Sequence, residues 1–141
     1  MAKQLGRSFI IKIGDGAGSE AFTTLAGVNS KSLTINNGSI DATTADASTP
    51  GGALYRQSLN GLKSYDLTGD GIFLDETAEA RLRTVADAAD SSCNLQVILP
   101  DFGTYSGNFR VENLEFGGET EGAVTFSASF SSNGTISFAA A

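Results

Sequence analysis

The fold is decided by residues 94–116, NLQVILPDFGTYSGNFRVENLEF, whose pattern predicts two β-strands joined by a tight turn. Apolar and polar residues alternate in both halves, which is typical of strands with one buried face. Pro100 ends the first strand because proline cannot donate a ladder hydrogen bond, and residues 101–103 have turn chemistry. In the second strand the apolar positions change parity after Val111, which predicts a β-bulge near residues 112–113.

Further strands are predicted on both sides of this pair. The segments with strand patterns are residues 8–13, 22–25, 28–35, 62–74, 123–131 and 135–138. Two Asn-Gly sequences predict turns: Asn37-Gly38, and Asn133-Gly134 as a hairpin between the last two strands. From Gly122 to the end there is no charged residue. Because charges normally protect the border of a sheet, we expect this terminal hairpin to be covered by other strands or by another subunit.

One helix is predicted, over residues 75–90 (DETAEARLRTVADAAD). Asp75 suits the N-cap, and Glu76 and Glu79 lie near the positive end of the helix dipole. Apolar residues at helical spacing form a narrow stripe of mostly small side chains. The stripe consists of Ala78, Leu82, Val85, Ala86 and Ala89. We therefore expect the helix to lie flat on one face of a sheet.

The least structured segment is predicted to be a loop over residues 43–61, TTADASTPGGALYRQSLNG. Loops of this length are uncommon in compact domains and are usually functional or disordered. One interpretation is a surface excursion without a partner. The other is an assembly loop that becomes ordered against a neighbouring copy, with Pro50, Leu54, Tyr55 and Leu59 as its contact residues.

Composition and charge restrict the function. The 141 residues are consistent with one domain, and they carry 9 Lys and Arg against 16 Asp and Glu, for a formal net charge of −7. This balance disfavours tight binding to duplex DNA, whose phosphates are recognised by cations. His is absent and Cys93 is the only cysteine, so His-based catalysis and an internal disulfide are excluded. We expect a structural or assembly protein with no catalytic residues, metal or cofactor.

Two further features are weighed against simpler interpretations. Residues 66–71, DLTGDG, resemble the first half of a calcium-binding loop, with Asp66 and Asp70 as ligands, but Thr77 stands where the closing acid belongs. A strand bent by its glycines is the favoured interpretation. Residues 1–9 lack the apolar core of a signal peptide, and no window approaches ~18 uninterrupted apolar residues, so we expect no membrane insertion.

The order and spacing of these elements resemble the major tail tube proteins of long-tailed, non-contractile bacteriophages. The likeness extends over nearly the whole chain and is strongest to the TP901-1-like group, which includes the tail tube protein of gene transfer agents. The segments that carry it are GRSFIIKI (6–13), DETAEARLR (75–83), VILPDFGTYSGNFRVENLEFGG (97–118) and EGAVTFSASFSSNGTISF (121–138).

The resemblance implies a mainly β fold, a β-sandwich or barrel with one flanking helix, whose inner sheet continues between subunits in a ring. Hexameric rings would stack into a tube in the virion tail, assembled in the host cytoplasm, and the lumen would pass DNA and the tape-measure protein. Tail terminator and distal tail proteins would be further partners. By the same resemblance the lumen-facing acids are Asp66, Asp70, Glu112 and Glu115, and the loop 43–61 makes ring-to-ring contacts.

Other classes stay open at this point. A ring-forming effector-tube protein of a secretion machine, or a tail terminator, would share the fold. A carbohydrate-binding β-sandwich module using calcium at Asp66 and Asp70 is a third possibility, disfavoured by the absence of Trp. An enzyme is the least favoured class.

Overall fold

The computed structural model describes residues 3, 5–16, 18–45, 48 and 50–140. Its elements, in chain order, are a short 3-10 helix (Gly6–Ser8), β1 (Ile10–Gly14), β2 (Phe22–Thr24), β3 (Val28–Asp41), β4 (Ser58–Ile72), α1 (Thr77–Asp87), β5 (Ser92–Leu99), β6 (Gly103–Gly117) and β7 (Thr125–Ala140). The prediction of a mainly β fold with one helix is thus confirmed.

The seven strands belong to one sheet in the order β2-β1-β5-β6-β7-β4-β3. The predicted central pair is β5 and β6, which are antiparallel neighbours from Leu99–Gly103 to Ser92–Arg110. Asp101 lies in the turn between them with φ 62°, a left-handed conformation that Asp tolerates better than most residues. The predicted bulge is also present, since the β6–β7 register shifts between Val111 and Asn113.

The sheet carries its core on the face covered by α1. Phe109, Leu95, Val97, Ile11 and Ile13 are buried on this face, each no more than 1% exposed. The helix adds Ala78, Leu82 and Val85 to the same core. Ala86 lies half-buried within α1. Ala89 is exposed, because α1 ends at Asp87 rather than at residue 90. The N-cap of α1 is Glu76 rather than the predicted Asp75, and the Glu76 side chain makes no capping hydrogen bond.

Two predicted turns are wrong, and both lie within continuous strands. Asn37-Gly38 is part of β3, where the added Cβ of an alanine at Gly38 would meet the backbone of Leu62. Asn133-Gly134 is part of β7, where the ladder passes from Gly107–Ile136 to Phe109–Ser132 and leaves a bulge. Gly134 adopts φ 107° there. A glycine that tolerates positive φ serves a bulge as well as a hairpin, so the local signal was ambiguous.

The expectation that the uncharged C-terminal segment is covered is confirmed, although the segment is the single strand β7 rather than a hairpin. β7 lies between β6 and β4, so its uncharged residues are paired on both sides within the same chain. The borders of the sheet are instead β2 and β3. A central strand needs no protecting charge, which accounts for the composition of the C-terminal segment.

The chain divides into two compact units, which we call the body (Met1–Thr34 with Tyr65–Ala141) and the arm (Ile35–Ser64). The body contains all the buried apolar residues described above. In the arm, the end of β3 pairs with the start of β4, and the Ala42 N–H donates to the Gln57 carbonyl at 2.9 Å. The predicted loop is therefore shorter than 43–61, since β4 begins at Ser58, and its residues 46, 47 and 49 lie outside the described part of the chain.

Candidate functional site

The candidate site is the face of β4, β7 and β6 that points away from the core. Along β7, Phe126, Ala128 and Phe130 are buried, so the alternate residues face the opposite side. We call this the polar face. Its members are Asp66, Thr68 and Asp70 of β4, Ser127, Ser129 and Ser131 of β7, and Arg110, Asn113 and Glu115 of β6.

The strand register brings three of the four predicted acids onto this face. Asp70 and Glu115 are both paired with Ser127 and flank it from the two sides. Asp66 and Arg110 flank Ser131 in the same way. The polar face thus holds three carboxylates and one guanidinium, with small hydroxyl side chains between them. This face is net acidic, and Arg110 was not predicted to lie on it.

Glu112 does not join the other three acids. The bulge makes it the extra residue, because Val111 pairs with buried Phe130 whereas Asn113 pairs with Ser129 on the polar face. Glu112 instead lines a cleft of about 400 Å³ beside α1, together with Arg83 and Asp87. The alternation of residues in the sequence alone does not tell whether Glu112 or Glu115 lies on the same face as Asp70.

The arm exposes its large apolar side chains. The four candidate contact residues are all exposed, with Tyr55 at 82%, Leu54 at 61% and Leu59 at 59%. Leu59 lies in β4 rather than in the loop. Leu62, at 89%, together with Ile35 and Ile40, extends this apolar surface and was not singled out from the sequence. Exposed apolar clusters of this kind mark interaction sites.

A relay of hydrogen bonds crosses the body and was not foreseen. The side-chain amide of Asn133 donates to Asn108 at 3.0 Å, that of Asn108 donates to Asn94 at 3.2 Å, and that of Asn94 donates to the Glu20 carboxylate. The second Glu20 oxygen accepts the Gly16 N–H at 3.2 Å. An ionised carboxylate can only accept hydrogen bonds, so Asn94 must donate to Glu20, and each amide of the relay then donates in the same direction. The relay links the β7 bulge to the loop before β2, and only the strand register reveals it.

Two buried titratable groups have shifted pKa values. Glu79 is 4% exposed and neither carboxylate oxygen has a hydrogen-bond partner. Burial raises the pKa of Glu79, and the nearby Glu76 carboxylate adds to the shift. Burial likewise raises the pKa of the Cys93 thiol to about 11, against the opposing effect of Arg81. A thiol in this state is a poor nucleophile.

The described residues contain no group of three or more Cys, Asp or Glu side chains placed to hold a metal ion. Asp66 and Asp70 lie four residues apart along β4 and point outward from a sheet, which is unlike the enclosing loop that calcium requires. Within the described ranges, no helix has the length and apolar character needed to cross a membrane.

Comparison with known proteins identifies the fold. Two solved structures of gene transfer agents are similar over 97% of this chain and 99% of theirs: the tail of an empty particle refined with C6 symmetry (28% identity, TM-score 0.84) and a native virion (26% identity, TM-score 0.83). The SPP1 tail tube matches over 99% of this chain and 80% of its own, with 14% identity and a TM-score of 0.60, and shares the fold alone. No curated protein matches the sequence. The profile of the phage tail tube protein family matches residues 3–138, so the chain belongs to that family.

Proposed function

We propose that this protein is the subunit of a tail tube in which six copies close into a ring and rings stack into a conduit for DNA. The observation that carries the proposal is a section of four strands, β6-β7-β4-β3, that has an unpaired border on each side. Family membership and the C6 symmetry of the related gene transfer agent tail support the hexameric ring.

The first border is the C-terminal half of β6. β5 pairs with β6 as far as Arg110, and the last hydrogen bond on that side runs from the Val111 N–H to the Ser91 carbonyl at 2.7 Å. From residue 112 to 117, β6 pairs with β7 alone among the described strands. Exposed N–H and C=O groups in a row are a template for another strand.

The second border is β3, the outermost strand on the other side. It is 14 residues long and contains only two charged residues, Lys31 and Asp41. Long borders without charges or prolines favour pairing with another chain. The opposite outer strand, β2, has three residues and offers little to pair with.

The directions of the four strands fit closure of a ring. β6 and β7 are antiparallel, as are β7 and β4. The hydrogen bonds Ile72 N–H to Gly27 O (3.0 Å) and Ala42 N–H to Gln57 O (2.9 Å) make β3 and β4 antiparallel as well. With an even number of strands, β3 of a rotated copy runs antiparallel to β6 of the first. Contacts of this head-to-tail kind generate rings when the rotation closes.

The polar face would then line the bore. Asp66, Asp70 and Glu115 repel phosphates, and the serines of β7 between them are small and uncharged, so DNA would be retained only weakly through counterion release. Arg110 lies beside Ser131, where Asp66 is the neighbour on the other side. Glu112 lies beside α1 and is dropped from the lumen-facing candidates.

The arm would make the ring-to-ring contact. Its apolar side chains are exposed in the isolated chain, and burying them on a neighbouring ring would supply the driving force for stacking. Partners of the finished tube are other copies of this chain, a tape-measure protein in the bore, and terminator and distal tail proteins at the ends. We propose no enzymatic role.

Electron microscopy of the purified protein tests the assembly. Negatively stained wild-type protein should show rings or tubes with a central hole, whereas deletion of residues 48–59 should leave folded subunits that form no long tubes. Long tubes from the deletion variant would contradict the stacking role of the arm, and a featureless monomer at every wild-type concentration would contradict the ring.

A single cysteine tests the bore. Ser129→Cys in a Cys93→Ala background, labelled with maleimide gold before assembly, should place metal density on the tube axis. Ala80→Cys on the exposed side of α1 is the matched control and should place it away from the axis. Density from Ser129→Cys on the outside of the tube would contradict the assignment of the polar face.

A further inference from the structure

A cleft lies directly beneath the unpaired border of β6, on the helix side of the sheet. Its volume is about 400 Å³, and its apolar lining comes from Ala86 of α1 and from Val111, Leu114 and Phe116 of β6. Phe116 is 48% exposed and Leu114 is only partly buried. The cleft is therefore an incompletely covered edge of the core.

The rim of the cleft is charged. Arg83 and Asp87 form an exposed ion pair at 3.0 Å, one turn apart on the helix, and Glu112 adds a further carboxylate from the bulge. A polar rim around an apolar centre is the usual anatomy of a protein–protein contact. The cleft opens along the unpaired border of β6. One additional strand beside β6, with apolar side chains pointing toward the helix, would therefore fill it.

The only strand of the described chain that fits is β3. Leu33 packs only partly against the core of its own copy, and Ile35, two residues further along the strand, is 42% exposed. Alternate residues of a strand point to the same face, so a strand added beside β6 presents two such side chains at once. β2 has only three residues and cannot fill the cleft.

We propose that the cleft between α1 and β6 is a docking site for β3 of a neighbouring copy, with Leu33 and Ile35 entering it against Ala86, Leu114 and Phe116. This rests on the ring proposed above and deepens it. The helix, in addition to covering its own core, would form half of the subunit interface. The bulge at Glu112 would hold the acid at the rim, where water can still reach it.

Two matched helix variants test the docking site. Ala86→Arg places a long charged side chain in the cleft, whereas Ala80→Arg places the same side chain on the exposed surface of the same helix. Both subunits should melt within a few degrees of the wild type by circular dichroism. Ala86→Arg should reduce ring formation at least tenfold in size-exclusion chromatography and microscopy, and Ala80→Arg should assemble normally.

Cross-linking provides a measurement that does not depend on an assembly defect. In a Cys93→Ala background, Ala86→Cys with Ile35→Cys should give a ladder of covalent multimers when assembled protein is treated with a short bifunctional maleimide. Ala80→Cys with Ile35→Cys should give none.

The results separate the two proposals. If wild-type rings form but Ala86→Arg assembles as well as Ala80→Arg and the Ala86–Ile35 pair gives no ladder, the docking site is wrong and the ring stands. If the wild type forms no rings, the ring proposal fails, and this inference fails with it.

Discussion

The body and the arm use their apolar residues in opposite ways. Among the residues that the structure describes, the body buries sixteen apolar side chains, several of them completely. In the arm no described residue is buried, yet it carries six of the twelve large apolar side chains that the structure exposes. Burial of apolar area drives both folding and association. The apolar residues of the body therefore stabilise its own fold, whereas those of the arm stay exposed and, in the proposed stack of rings, would be buried against another copy.

The largest expected effect belongs to the centre of the body. Phe109 is fully buried on β6 between the sheet and α1. Phe109→Ala should lower the free energy of unfolding by about 3–5 kcal/mol, because it removes buried area and leaves a cavity. Urea denaturation of the isolated subunit measures the loss. Phe102→Ala, at a side chain that is 59% exposed, is the control and should cost far less. Equal losses would mean that the core does not centre on β6.

Glu79 is a charged group of the body whose ionised form works against folding. Its pKa is raised by burial, so the stability that neutral Glu79 contributes is fully present below the unfolded-state pKa and is lost as pH rises through the folded-state pKa. Glu79→Gln should therefore stabilise the subunit by about 1–3 kcal/mol at about pH 8, with the gain shrinking toward about pH 4.

Thermal unfolding across this pH range measures the gain, and Glu121→Gln at an exposed loop residue is the control. A gain from Glu79→Gln that is independent of pH would show that the charge of Glu79 is not its cause.

The amide relay is expected to contribute a smaller amount. Asn108→Ala removes the donor to Asn94 and the acceptor for Asn133, and should lower the free energy of unfolding by about 1–2 kcal/mol. Asn113→Ala on the same strand is the control and should cost less than about 0.5 kcal/mol. If denaturant unfolding gives the same value for both, the relay adds nothing to the stability of the body.

Much of the body could be predicted from sequence, since alternation places Leu95, Val97 and Phe109 on the core face and Asp66 and Asp70 on the other. The two Asn-Gly errors have one physical origin. Local preference for a turn is weaker than the ladder that adjacent strands provide, so β3 and β7 continue through these residues. The face on which Glu112 lies depends on which residue the bulge leaves unpaired. The amide relay depends on how β5, β6, β7 and the loop before β2 are aligned. Neither the unpaired residue nor the alignment can be read from one segment of sequence.

The smallest expected change in stability comes from the arm, and it is the sharpest test of the comparison. The triple variant Leu54→Ser, Tyr55→Ser, Leu59→Ser alters only side chains that are already 59–82% exposed. Its free energy of unfolding should stay within about 0.5 kcal/mol of the wild type, because no buried area is lost. Tube formation should nevertheless fail, since the apolar surface that would be buried between rings is gone. Arg56→Ala, at an exposed residue between them, should leave both properties unchanged. A triple variant that unfolds easily would place these side chains in the core of the subunit, and one that still forms long tubes would place the stacking contact elsewhere.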